Sequence, residues 1–124
     1  MNGSPAIGGS GPDQAPAVGV LMPAYNAGTY VRRAIASILE QTLEDIELIV
    51  GDDQSTADTW EIIQELAESD DRVRIFRNDE NRGPAATTNR AAAMARAPLL
   101  AGMDADDISL PTRLEKQKNV MDQR

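Results

Sequence analysis

Four short apolar runs, each followed by a segment of helical periodicity, constrain the fold of this chain more than any other feature. The runs occupy residues 17–22, 46–51, 73–77 and 99–103. After the first run, Val31, Ala34 and Ile38 recur at the spacing of one helical face. Repeated strand–helix units predict right-handed crossovers and a parallel sheet covered on both faces. We therefore expect an α/β protein, a Rossmann-like three-layer sandwich with a mainly parallel sheet.

Local signals predict the end of the first strand and the start of the second helix. Pro23 should stop the first strand, and Ser55, with Asp58 three residues later, should cap the second helix. The strands are expected to be short and fully apolar, as a sheet covered on both faces requires.

The last two helices have their own signals. The third is expected over residues 84–96, because the residue before the next proline avoids helical conformation. Pro111 suits the first turn of a final helix, whose inward face should carry Leu114, Val120 and Met121.

The length of 124 residues points to one domain, preceded by a segment of different composition. Residues 1–16 are rich in Gly, Ser and Pro and should form a flexible tail, because they cannot bury enough apolar surface. Residues 17–124 form the expected domain. The start of the chain does not resemble a signal peptide, so we expect a cytoplasmic protein. Association of the full-length protein with the inner face of the membrane is left open.

The composition excludes several kinds of chemistry. The chain has no Cys and no His, which rules out disulfides, histidine-ligated zinc and histidine acid–base catalysis within it. Any metal must be held by oxygen, which favours magnesium, manganese or calcium. The formal net charge of -8 argues against binding to nucleic acid or anionic membranes.

Polar residues follow three of the predicted strands, at the sequences PAYN, DDQS and DADD. Ligands of open parallel sheets bind beyond the carboxyl ends of the strands. Asp104 and Asp106 are two residues apart, so an extended backbone would point both side chains to one side. A divalent cation would remove their mutual repulsion and take its other ligands from water and phosphates.

Each of these features also has a simpler structural explanation. The DADD sequence would then only favour the start of the last helix, and Asp52 and Asp53 would be a solvated helix entry. Tyr25 would cover the edge of the core. Arg77 and Arg82, which flank the third loop, would form a solvated face rather than a phosphate contact.

The chain resembles the N-terminal, nucleotide-binding half of family-two glycosyltransferases, which are inverting enzymes with the GT-A fold. The resemblance is carried by VGVLMPAYNAGTYVRRAIASILEQTLEDIELIVGDDQST, NRGPAATTNRAAAMA and LLAGMDADDISLPTRLEKQ, from about Ala17 to Gln117. It implies that a nucleoside diphosphate sugar, with a UDP-sugar favoured, donates its glycosyl group to the hydroxyl of an unknown acceptor. It also implies Mn²⁺ or Mg²⁺ as cofactor.

The resemblance implies nucleotide-binding roles for two loops. Tyr25 would lie against the nucleotide base, and Ala24 and Asn26 would shape its loop. Asp53 would hydrogen-bond the base, and Asp52 would support that second loop.

The resemblance also assigns the metal site and the catalytic step. Asp104 would lie near the ribose and the metal, and Asp104 and Asp106 would hold the metal that bridges the diphosphate. The general base is expected in the half that would follow Arg124, so no catalytic residue is assigned within this chain. We expect the chain alone to bind a nucleotide but not to transfer sugar efficiently.

Two positions depart from the family pattern. Gln54 stands where the family often has glycine, and Thr88 stands where an arginine that approaches the nucleotide is usual.

Two other functions remain open at this point. A sugar nucleotidyltransferase would share the strand–helix order, but PAYNAGTY lacks the glycine-rich, basic loop that such enzymes use. The second alternative is a non-catalytic binding or self-association module. A fourth strand at an exposed sheet edge could pair with another chain, so a homo-oligomer is expected for the isolated domain.

Overall fold

A computed structural model describes residues 15–122, and residues 1–14 of the predicted tail lie outside the described range. The chain alternates strands and helices throughout. In order, the elements are β1 (Val18–Ala24), α1 (Val31–Leu39), β2 (Ile46–Asp52), α2 (Thr59–Ser69), β3 (Val73–Arg77), α3 (Pro84–Met94), β4 (Leu99–Gly102) and α4 (Arg113–Asp122). No helix between residues 15 and 122 is long and apolar enough to cross a membrane.

The sheet has four strands in the order β3-β2-β1-β4, and every pair is parallel. The register places Ala24 opposite Asp52, and Leu21 opposite Gly102. β1 and β2 are therefore central strands, whereas β3 and β4 are edge strands. This arrangement confirms the predicted α/β class and parallel sheet.

The core lies on both faces of the sheet. One face packs against α1, α2 and α4, and its centre includes Val20, Leu48, Ile35 and Leu114. The other face packs against α3 through Leu21, Ile49, Phe76 and Ala91. Alternate residues of β1 and β2 thus point to opposite layers, as the pleat requires. The three-layer prediction is confirmed.

The prediction that Pro23 stops β1 is wrong, because the strand continues through it to Ala24. The carbonyl of Leu21 faces β4, where it accepts a hydrogen bond from the Met103 backbone N–H. Pro23, two residues later, faces the same side, but β4 has already ended at Gly102. Proline is tolerated in this central strand because its missing N–H has no ladder partner to lose.

The predicted Ser55 cap is also wrong, since α2 begins at Thr59. The backbone N–H and hydroxyl of Ser55 both donate to the carboxylate of Asp52, at 3.0 and 2.6 Å. Ser55 therefore closes the loop after β2 instead of capping the helix.

The strands are not fully apolar, and this explains why α3 ends earlier than predicted. Glu47 is a buried residue of β2. Its carboxylate accepts hydrogen bonds from the backbone N–H groups of Arg96 and Ala97, at 2.7 and 2.8 Å. These two N–H groups are no longer available to a helix, so α3 ends at Met94.

The final helix begins at Arg113, two residues after Pro111. Leu114 is buried as predicted, but Val120 and Met121 are 55% and 46% exposed. The prediction that these two residues face inward is wrong, because they line an open cavity beside β4 instead of packing into the core.

Candidate functional site

Three loops meet at the edge of the sheet where the strands end, here called the carboxyl edge. The Asp53 backbone N–H donates to the Ala24 carbonyl at 2.8 Å, and the Met103 N–H donates to the Leu21 carbonyl at 3.0 Å. These hydrogen bonds fix the first residues of the loops after β2 and β4 against β1. The predicted site residues therefore follow adjacent strands at one edge.

The loop between β4 and α4, residues 103–112 and here called the acidic loop, carries three aspartates. Asp104, Asp106 and Asp107 are exposed, and one carboxylate oxygen of each lies within 4.8 Å of the others. Met103, before the first aspartate, and Ala105, between the first two, are buried. The segment is a turn, in which the Asp107 N–H donates to the Asp104 carbonyl at 3.1 Å, rather than the extended backbone we expected.

This acidic cluster fits a hard divalent cation. Carboxylate oxygens are the ligands that Mg²⁺ and Mn²⁺ prefer, and exposure leaves room for water and phosphate oxygens around the ion. Asp104 and Asp106, the predicted metal ligands, are both in the cluster. Asp107 is a third candidate ligand that we did not assign from the sequence, although it is adjacent to the D-x-D.

A cleft of about 480 Å³ opens beside the acidic loop, between it and the beginning of α3. Its walls include Pro84, Thr88 and Asn89 from α3, and Asp104 and Asp107 from the acidic loop. Among the residues that line this cleft, the only charged ones are these two aspartates. Anionic phosphates in the cleft would therefore be neutralised by a bound cation or by the backbone N–H groups at the start of α3.

Tyr25, Asn26 and Ala24 lie at the end of β1, as predicted, outside the walls of this cleft. Tyr25 is 51% exposed, so its ring is available to a planar ligand. The Asn26 backbone N–H donates to the Ser55 hydroxyl at 2.9 Å, and its side-chain oxygen accepts from the Thr56 N–H at 2.8 Å. Asn26 therefore fastens the loop after β1 to the loop after β2.

Asp53 is only 3% exposed, and its carboxylate holds the loop after β3. It accepts hydrogen bonds from the backbone N–H groups of Arg82 and Gly83, at 2.7 and 2.8 Å, and from the Asn78 amide at 2.9 Å. Burial by itself raises the pKa of Asp53, but the Arg82 N–H, the Asn78 amide and the Gly83 N–H together lower it below its usual value. The ionised carboxylate of Asp53 therefore links the loop after β2 to the loop after β3.

Asn78 is a site residue that we did not identify from the sequence. It is buried, and its amide donates both to Asp53 and to the Thr87 hydroxyl at 2.9 Å. Its side-chain oxygen accepts from Arg90 at 2.9 Å. Its position directly after β3, at the carboxyl edge, was the available signal.

Asp52 and Arg77 have structural partners. Asp52 is fully buried, and the Arg77 guanidinium donates to its carboxylate at 3.0 Å while lying 5.6 Å from the centre of the Trp60 ring. Asp52 thereby holds its loop through Arg77 and Ser55, and its part in nucleotide binding stays a prediction. Arg82 pairs at the exposed surface with Asp79 at 2.8 Å. Both arginines are committed to carboxylates of the chain, which favours the structural explanation over a phosphate contact.

Comparisons with known proteins agree with this geometry. An uncharacterized glycosyltransferase from Haemophilus influenzae is 40% identical over 106 residues, which are 86% of this chain and 42% of that protein. A crystal structure of S. aureus TarS in complex with UDP superposes with a TM-score of 0.79, at 24% identity, over 86% of this chain and 32% of that one.

A mannosyltransferase from Pyrobaculum calidifontis, in complex with GDP-Man and Mn²⁺, superposes with a TM-score of 0.74 at 27% identity, over 86% of this chain and 32% of that one. The chain thus spans less than half the length of the relatives it matches. The model of the family described as glycosyl transferase family 2 matches residues 19–124, and the chain belongs to this family.

Proposed function

We propose that this chain binds the nucleotide diphosphate of a sugar donor together with Mn²⁺ or Mg²⁺, as the donor-binding part of a glycosyltransferase that inverts the anomeric centre. The observation that carries the proposal is the cluster of Asp104, Asp106 and Asp107 beside a cleft without a cationic side chain among its lining residues. A metal ion held by this cluster would neutralise a diphosphate in the cleft, beside the backbone N–H groups at the start of α3.

The choice of donor rests on the similar structures. TarS structures contain UDP and UDP-GlcNAc, and the mannosyltransferase contains GDP-Man with Mn²⁺. We propose a uridine nucleotide, because the hydrogen bond to the base proposed for Asp53 is the role of the matching aspartate in uridine-using members of the family. The sugar nucleotidyltransferase alternative has no comparable support, since the matched relatives are glycosyltransferases.

Each group of residues would contribute a different part of donor binding. Tyr25 would stack on the base, and Asp53 would accept a hydrogen bond from it while holding the loop after β3. Asp104 and Asp106, with Asp107 beside them, would hold the cation. A bound metal would supply neutralisation of the negative charge that develops on the leaving diphosphate.

Calorimetry tests this proposal directly. UDP is titrated into the protein with Mn²⁺ and without it, and GDP is titrated under the same conditions. We expect UDP to bind only with Mn²⁺ and more tightly than GDP, and Asp106→Asn to abolish the effect of Mn²⁺. Asp71→Asn is the matched control, because Asp71 is an exposed aspartate before β3, at the opposite edge of the sheet. Metal-independent UDP binding, or none with Mn²⁺, would contradict the proposal.

Sugar transfer itself is proposed for the full-length protein, with the general base beyond Arg124. Inversion is tested there by the anomeric configuration of the product.

The domain limits of residues 17–124 and the cytoplasmic location remain predictions from the sequence.

We also propose that the isolated domain self-associates through β4. This strand pairs only with β1 in the described part of the chain, and Leu100 on it is 49% exposed. An unpaired strand with an exposed apolar side chain is a template for pairing with another copy.

A further inference from the structure

Arg113, the first residue of α4, joins the two ends of the acidic loop. One nitrogen of its guanidinium donates to the Gly102 carbonyl at 2.9 Å, at the end of β4. The other donates to the Ser109 hydroxyl at 3.0 Å, on the far side of the aspartates. The Ser109 hydroxyl also donates to the Met103 sulfur at 3.2 Å. The three carboxylates therefore lie on a loop whose base is closed by Arg113 together with this contact.

The same segment is fastened to the end of α1. Gln41 is buried, and its amide donates to the Leu110 carbonyl at 2.6 Å while its side-chain oxygen accepts from the Leu114 N–H at 3.0 Å. The Ser109 N–H donates to the Ser37 hydroxyl at 3.0 Å. The side of the loop after the aspartates is thus held against the end of α1, and Arg113 links that side to the end of β4.

We propose that Arg113 is a positioning residue that holds Asp104, Asp106 and Asp107 in the arrangement that binds the cation. This inference rests on the proposed function, because it concerns the same metal site. Arg113 is itself a cation and cannot be a metal ligand. Its planar guanidinium presents two separate N–H groups to the two ends of the loop, which a lysine ammonium on a single flexible stem does not reproduce.

The direction in which Mn²⁺ affinity changes on substitution of Arg113 distinguishes a positioning role from a purely electrostatic one. Removing a positive charge near three carboxylates strengthens their attraction for a divalent cation. Releasing the loop weakens binding, because the carboxylates must then be ordered by the ion itself. If Arg113 acts by positioning, neutral Arg113→Met has lower affinity for Mn²⁺ despite the more favourable net charge.

Mn²⁺ titration followed by the electron paramagnetic resonance signal of the free ion measures this affinity without a nucleotide or an activity assay. We expect Arg113→Met to weaken Mn²⁺ binding about tenfold, the lower end of the range for residues that orient metal ligands. Arg113→Lys keeps the charge and one donor, and we expect an intermediate affinity. Affinity in Arg113→Met that is equal to or higher than that of the wild type would overturn the proposal.

The matched control is Arg74→Met, the same substitution in an arginine that also holds a backbone carbonyl. Arg74 donates to the Met94 carbonyl at 2.8 Å and to the Glu47 carboxylate at 3.0 Å, at the end of α3 and near the start of β2. This position lies away from the carboxyl edge and from the segment that anchors the acidic loop. We expect Arg74→Met to lower stability while leaving Mn²⁺ affinity unchanged.

Hydrogen exchange of the metal-free protein provides a second readout. The Asp107 N–H, bonded to the Asp104 carbonyl, reports the closed loop. We expect it to exchange faster in Arg113→Met and in Arg113→Lys, but not in Arg74→Met. Unchanged exchange contradicts positioning itself, whereas a wild-type protein that binds no Mn²⁺ contradicts the proposed function. If Arg113→Met does not fold, wild-type affinity and exchange in Arg113→Lys would overturn the inference.

Discussion

At the scale of single residues, the carboxyl edge is held by carboxylates that are already hydrogen-bonded within the protein. Asp53 shows how two opposing effects on one group are decided. Burial favours its neutral form, but three donors from the loop after β3 point at its oxygens. Together these hydrogen bonds outweigh the effect of burial, and the pKa of Asp53 is lowered. The ionised carboxylate therefore contributes to stability as well as to the site.

Because the folded-state pKa of Asp53 is below its unfolded value, its contribution to stability is complete above about pH 4 and is lost as the pH falls through the folded pKa. We expect Asp53→Asn to be less stable than the wild type at neutral pH by about 1–3 kcal/mol. The side-chain NH2 group of the variant would face the Gly83 N–H, and two donors cannot form a hydrogen bond. The acid-induced loss of stability should be smaller than in the wild type. Urea unfolding between pH 3 and 7 measures both effects.

The control for this prediction is Asp71→Asn, at an exposed residue away from these donors. It should keep the wild-type pH dependence. An acid-induced loss of stability in Asp53→Asn as steep as in the wild type would contradict the prediction.

At Gln54, backbone strain is opposed by a side-chain hydrogen bond. Its φ of 65° lies in the left-handed region, which explains why the family often has glycine at this position. Its side-chain amide donates to the Asn78 carbonyl at 2.6 Å, which compensates for part of the strain. The departure from the family pattern is therefore tolerated.

This geometry predicts that glycine is better than alanine at position 54, the reverse of the usual order. Gln54→Ala loses the hydrogen bond and keeps the strain, whereas Gln54→Gly loses the bond but relieves the strain. We expect the glycine variant to be more stable than the alanine variant by about 1 kcal/mol. Thermal or urea unfolding measures the difference, and an alanine variant that is equally or more stable would show that the backbone at this position is not strained.

At the scale of elements, the sequence predicted what depends on local patterns. Apolar runs and helical spacing were sufficient for the four strands, the helices and the parallel sheet. The end of α3 depends on Glu47, which is 49 residues away from Arg96, and such a contact has no local signal. The passage of β1 through Pro23 likewise depends on where β4 ends. Long-range contacts therefore account for these errors at the element boundaries.

The same distinction applies to the candidate site. Asp104 and Asp106 form a local motif, and the structure groups them as expected. Asn78 and Arg113 lack such a motif, because each acts by joining segments that only the fold brings together. The sequence therefore predicted the candidate ligands but not the residues that join the loops around them.

At the scale of the whole molecule, β4 and α4 leave an open apolar surface. A cavity of about 690 Å³ lies between them and is lined in part by Leu100, Val120 and Met121. All three side chains are substantially exposed. Since β1 is the only strand paired with β4 among residues 15–122, the other side of β4 offers backbone groups for pairing beside this apolar surface, except the Gly102 carbonyl, which accepts from Arg113.

We therefore expect the isolated domain to self-associate at high concentration, and Leu100→Lys to shift it toward monomer, because a charged side chain on an edge strand opposes pairing. Sedimentation velocity over a range of concentrations measures the change. Leu110→Lys is the matched control, since Leu110 is more exposed than Leu100 but lies in the acidic loop, outside the cavity beside β4. A wild-type domain that is monomeric throughout would mean that the edge of β4 does not recruit a second copy. Equal effects of the two substitutions would assign association to general surface hydrophobicity instead of strand pairing.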